Sequence, residues 1–184
     1  MIDTPAAVLG FWLAAGPEKW FTADAGFDAA VRDALLPLHE AAAAGRLDAW
    51  AETAEGALAL VLLLDQVPRN VFRGTPRAFA TDPAALHAAE AALARGDDDP
   101  AHLGAFAALA NFFYLPLMHA EDPARQARCV DLYRRTGDEN GLKYALIHQE
   151  IIDRFGRFPH RNPILGRPMR PEEQAYLDQD GFKG

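Results

Sequence analysis

The stretch that most restricts the fold is residues 57–64, Ala-Leu-Ala-Leu-Val-Leu-Leu-Leu, followed at once by Asp65-Gln66. Such a run is far too short to cross a bilayer, which takes about 20 apolar residues. By length it suits a buried strand, but its Ala and Leu content, with one β-branched residue, predicts a helix buried on nearly all sides. The rest of the chain must then supply apolar faces to surround it. Asp65 falls at the edge of that core. An unpaired carboxylate there would cost on the order of several kcal/mol, so a cation must meet it, and Arg69, one helical turn on, is the natural partner.

Helical periodicity provides the surrounding faces. Asp3-Thr4-Pro5 reads as a cap and first turn, with Val8, Phe11 and Trp12 on one face and Gly16-Pro17 as the stop. Residues 18–26 read as a loop anchored by Trp20-Phe21. A second helix is predicted over 27–44, with Phe27, Val31, Leu35 and Leu38 as its stripe and a bend at Pro37. The helix carrying the 57–64 run starts near Asp48 or Thr53 and is expected to close at Pro68. Thr81-Asp82-Pro83 opens an alanine-rich helix ending at Gly96, and residues 101–118 form one buried helix with Phe106, Leu109, Phe113 and Leu117 on its stripe. Helices over 123–135, 138–155 and 171–178 follow. No stretch alternates as a strand does. The expectation is an all-α chain, one helical domain over residues 1–184 with about seven to nine helices.

Composition narrows the function classes. A net charge of −8 argues against nucleic acid or an anionic membrane as partner. Acids dominate residues 1–50, while 151–184 are slightly basic. The single Cys129 excludes an internal disulfide and a multi-cysteine metal site, and the absence of serine excludes a serine nucleophile. The start Met-Ile-Asp-Thr-Pro lacks a basic signal-peptide region, so a cytoplasmic protein is expected. No glycine-rich phosphate loop is present.

Three constellations carry side chains with chemistry. Residues 154–167 hold four arginines and His160 with no acid. Arg154 and Arg157 stand four residues after Glu150 and Asp153, so helical ion pairs account for them. Arg161 and Arg167, flanking Asn162-Pro163, have no local partner and must find carboxylates, carbonyls or an external anion. The second is residues 65–77, with Asp65, Arg69, Arg73 and Arg77. The third is residues 115–122, where His119, Glu121 and Asp122 are possible ligands of a divalent metal or proton carriers, with His148 or His160 alongside. That spacing matches no established metal signature, and Glu121-Asp122-Pro123 is also an ordinary helix start. Metal and cofactor are therefore expected to be absent.

Together these motifs resemble the bacterial domain-of-unknown-function family 924. The resemblance rests on Val8-Leu9-Gly10-Phe11-Trp12, Lys19-Trp20-Phe21, Leu64 through Thr75, Phe113 through Asp122, Arg154 through Asn162, and Leu165-Gly166-Arg167. The family typically has serine at the position of Ala120. The resemblance implies a tetratricopeptide-like helical arrangement, although the chain has no consensus thirty-four-residue repeat. It implies no activity.

The leading functional expectation is a binding protein whose Asp65, Arg69, Arg73, His119, His160, Arg161, Asn162 and Arg167 line one pocket for an anionic small molecule or a peptide carboxylate. One alternative is a metal-assisted or acid–base hydrolase using His119, Glu121, Asp122 and His148. Another is a protein-interaction scaffold with structural arginines.

Overall fold

The computed structural model describes residues 2–179 and 181–182 and is all-helical, with no strand among the described residues. The chain divides into two compact units. The first comprises the residues up to Arg73 together with Arg77–Pro116, and the second comprises Gly74–Pro76 and the residues from Leu117 onward.

The first unit is built around the 57–64 run. Helix α1 (Pro5–Ala15) is capped by the Thr4 hydroxyl, which accepts the Ala7 N–H, and buries Val8, Leu9 and Trp12. Residues 17–20, expected as loop, form a single turn, α2 (Pro17–Trp20), and the Trp20 indole N–H donates to the Trp12 carbonyl at 2.7 Å. Helix α3 (Ala25–Ala43) is capped by Asp24 and buries Phe27, Val31 and Leu35 as its periodicity predicts. The next buried position is His39, not Leu38, and its imidazole Nδ1 donates to the Leu63 carbonyl at 2.8 Å; Ala42 follows.

Helix α4 (Ala54–Val61), capped by Thr53, is buried from Gly56 to Val61 and packs against α1, the 3₁₀ segment Gly104–Tyr114 and α6 (Asp82–Arg95). Pro68 does not close this helix. The chain passes through a π turn, Leu62–Gln66, into α5 (Val67–Val71), with Pro68 in its first turn. A proline removes one N–H and crowds the carbonyl four residues back. Here that carbonyl, Leu64, accepts the Thr81 hydroxyl at 2.5 Å, and its neighbour Leu63 accepts His39. Side chains from outside the helix thus satisfy the acceptors that the π turn and the proline release.

Residues 101–118 are also not one α-helix. Helix α7 (Pro100–Leu103) stops at Gly104, whose φ of +50° and ψ of −116° suit only glycine. The 3₁₀ segment Gly104–Tyr114 follows, and then α8 (Leu115–Met118). Three residues per turn eclipse every third side chain. Leu109, Phe113 and Leu117 of the predicted stripe are fully buried, Phe106 is only half-buried, and Ala110 and Phe112 join the core beside them. The Pro100–Met118 stretch is long and apolar enough to cross a membrane by composition, yet more than half of it is buried inside the protein.

In the second unit α9 (Pro123–Thr136) is capped by Asp122 and α10 (Glu139–Phe155) by Asp138, and the two pack against each other. Gly156 ends α10 in the left-handed conformation. A 3₁₀ turn (Pro159–Arg161) and α11 (Pro171–Asp178) complete the unit. Ile151, Ile152, Phe155 and Phe158 form its buried apolar cluster, against which Ile147, Tyr176 and Phe182 pack.

Candidate functional site

In the first unit, the cations predicted from residues 65–77 are engaged by acids of that unit. Asp65 is fully buried beside Arg69 at 3.2 Å and accepts the Gln66 amide at 2.7 Å. Arg69 also forks onto Asp82 at 2.8 and 3.0 Å. Burial alone would lower the Arg69 pKa, but Asp65 and Asp82 outweigh it and raise the pKa above its ordinary value. Arg73 forks onto Asp28 at 3.0 and 2.9 Å, and Asn70 donates to the same carboxylate. Partial burial works to raise Asp28, yet these hydrogen bonds hold it below the usual carboxylate range. Arg77 reaches Glu40 at 2.5 Å and lies over the Phe72 ring. Asp65 and Arg69 thus belong to one ionic group with Asp82, and Arg73 to a second with Asp28 and Asn70.

The second unit sorts the 154–167 arginines differently from their sequence spacing. Arg157 does not pair with Asp153. Gly156 ends α10 one residue earlier, so the helical i,i+4 geometry is lost, and Arg157 forks onto the fully buried Glu173 at 2.6 and 2.8 Å. Arg154 lies over the rings of Phe155 and Tyr176 in place of the Glu150 pair. Arg167 forks onto Glu121 at 2.6 and 2.9 Å and also donates to Asn162 Oδ1 and the Phe158 carbonyl. Glu121 accepts the Phe158 N–H as well. Burial works to raise Glu121, but the Arg167 fork, that N–H and the field of Arg161 leave it lowered. Asp122 caps α9 and pairs with Arg125. Both carboxylates of the metal alternative are therefore taken. Among the described residues no three His, Cys, Asp or Glu side chains are grouped to hold a metal ion.

What the fold does bring together is histidine. His119 and His148 have ring centroids 6.4 Å apart, His148 meets Phe158 edge-on at 5.4 Å, and Phe158 lies 5.7 Å from His160. The buried Arg161 guanidinium sits 4.5 Å above the same Phe158 ring. The His148 Nδ1 donates to the Tyr144 carbonyl at 2.8 Å, which fixes the neutral tautomer and leaves a lone pair on Nε2. Burial pushes the His148 pKa down to about 3, with His119 and Arg161 adding to the effect. It pushes His160 down to about 4, and the Arg161 charge acts in the same sense. Both imidazoles are neutral at pH 7. Cys129, by contrast, is buried and its thiol is raised to about 12, which removes it as a nucleophile.

Sequence reasoning missed Glu173 and Phe182. The only local signal for Glu173 is its place as the third residue of a proline-started helix. There its carboxylate accepts the Arg170 N–H at 2.8 Å, half of a capping box. Nothing in the sequence distinguishes Phe182.

Comparison with known proteins adds family and fold. The family model described as "Bacterial protein of unknown function (DUF924)" matches residues 8–181. A solved structure of a protein of unknown function from Agrobacterium tumefaciens is similar at 49% identity, with a TM-score of 0.89, over 95% of this chain and 97% of that one. No curated protein matches.

Proposed function

The chain belongs to the bacterial family of unknown function DUF924, and on that premise we propose that its second unit binds a small anionic molecule or a peptide carboxylate among His119, His148, His160 and Arg161. One observation carries the reading: two imidazoles, His148 and His160, and a buried guanidinium gather around the single ring of Phe158, with His119 against His148. The guanidinium charge reaches both His148 and His160, so the cluster is a region of positive potential lined by groups that can gain protons.

An anion entering there reverses the pressure on the imidazoles. It stabilises their charged forms, so binding raises both pKa values. A general-base role for His148 is the weaker alternative. A base with a pKa of about 3 has little driving force for taking a proton at neutral pH.

Titration of the imidazole resonances by NMR tests the reading, with acetate and inorganic phosphate as probes. Millimolar probe is expected to move the His148 and His160 signals and to raise their pKa values by about one unit or more, equivalent to ~1.4 kcal/mol of coupling per unit. Arg161→Met should weaken the effect about tenfold or more, as expected for loss of a charge-assisted contact. Resonances that ignore both anions throughout the millimolar range would overturn it.

A further inference from the structure

The residues just past α11 turn back toward the histidine cluster. The Gly181 N–H donates to the Tyr176 carbonyl and the Phe182 N–H to the Tyr176 hydroxyl, each at 3.0 Å. Gly181 lies so close to Tyr176 that a Cβ there would stand 2.5 Å from both the ring and the carbonyl oxygen. This approach directs the Phe182 ring between two imidazoles. Its centroid is 4.7 Å from His148 at a tilt of 60° and 5.9 Å from His160 at 81°, with Tyr144 at 6.5 Å. The slot around it is therefore shaped for one planar ring, walled by the imidazoles that the proposed anion site uses.

Two further observations separate this slot from ordinary core. Phe158, which contacts the same two imidazoles, is fully buried, whereas Phe182 remains partly exposed and is tethered through its N–H to the Tyr176 hydroxyl. The buried Nδ1 of His160 also has no hydrogen-bond partner among the described residues. A buried imidazole nitrogen without a partner costs free energy and marks a position where a ligand group would be favoured.

We propose that the ligand is an aromatic carboxylate, whose ring takes the slot now filled by Phe182 while its carboxylate meets His160 and Arg161. This rests on the anion-binding reading above and specifies its ligand class. Phe182 then acts as an internal competitor that keeps the slot filled until the ligand displaces it. The ring supplies recognition by edge and tilted contacts with the imidazoles, which a saturated ring of equal size does not reproduce.

Calorimetric titration of the full chain with benzoate, cyclohexanecarboxylate and acetate tests this. The wild type should bind benzoate about tenfold more tightly than cyclohexanecarboxylate. Phe182→Ala should bind benzoate about tenfold more tightly than the wild type, because the competitor is gone, and acetate equally well in both. Tyr176→Phe, which removes only the hydroxyl that accepts the Phe182 N–H, should shift benzoate affinity in the same direction by a smaller factor, and it carries the test if Phe182→Ala is poorly folded. Equal affinities for benzoate and cyclohexanecarboxylate, unchanged in both variants while acetate still binds, would overturn the aromatic slot and leave the anion reading standing. If no carboxylate binds any of the three proteins, both fall.

Discussion

Glu173 accepts hydrogen bonds from Arg157 Nε and Nη2, the Asn162 amide and the Arg170 N–H while exposing none of its surface. The Arg157 fork, with the Arg170 N–H, holds its carboxyl down to about 2. Removing one member of a buried ion pair leaves the other uncompensated, at a cost of about 3–5 kcal/mol. We therefore expect Glu173→Gln to lower unfolding free energy by about 3 kcal/mol in urea titrations at pH 7. Glu150→Gln, on the pair that spacing alone predicts, should change it by less than about 0.5 kcal/mol. The difference between the two acids is invisible in sequence spacing. Asp153 and Glu150 stand at helical distance from arginines, whereas Glu173 lies sixteen residues from Arg157 and meets it only because Gly156 turns the chain.

The elements show where local rules hold and where packing overrides them. The helix starts at Thr4, Asp24, Thr53, Asp99, Asp122 and Asp138 each have a side-chain oxygen accepting a first-turn N–H. The cap is a contact over two or three residues, so the sequence reveals it directly. Pro68 is the counterexample. Its ordinary effect is to end a helix, and here the π turn and the donors His39 and Thr81 carry the helix past it. Thr81→Val keeps the shape but withdraws the donor from the Leu64 carbonyl. It should cost about 1–3 kcal/mol, while Thr81→Ser stays within about 1 kcal/mol of the wild type, both measured by chemical denaturation. A cost for Thr81→Val no larger than that for Thr81→Ser would show that the hydroxyl is not what sustains the helix across the proline. The 3₁₀ run Gly104–Tyr114 is the same lesson at a different place: an apolar sequence fits two helical periods, and tertiary packing selects three residues per turn.

At the scale of the molecule, the acidic excess of the composition coexists with arginines that draw acids to themselves, and pH links the two. His148 and His160, facing His119, Arg161, Glu121 and Arg167 and the rings of Phe158 and Phe182, resist protonation in the folded state, with pKa values of about 3 and about 4. The unfolded chain takes up these protons near pH 6.5, so acidification favours unfolding from pH 6.5 down through the folded values. The loss from His148 alone is on the order of a few kcal/mol. Lowered Glu121, Glu173 and Asp28 add losses of the same sign below the ordinary carboxylate range. Urea unfolding at pH 4.5 and 7 should show this fall, and His148→Gln should make it shallower. An unchanged slope in that variant would remove His148 from the account. The sequence by itself determined the helical class, the Thr4 cap, the buried 57–64 run and the need of Arg161 and Arg167 for non-local partners, because all of these follow from residue type and from contacts within a turn or two of chain. Only the tertiary structure decided that Arg167 meets Glu121 forty-six residues away, that Arg157 meets Glu173, and that His148 and His160 share one aromatic ring with His119 beside them. Those pairings depend on where folded segments come to rest, and side-chain type and spacing leave that open.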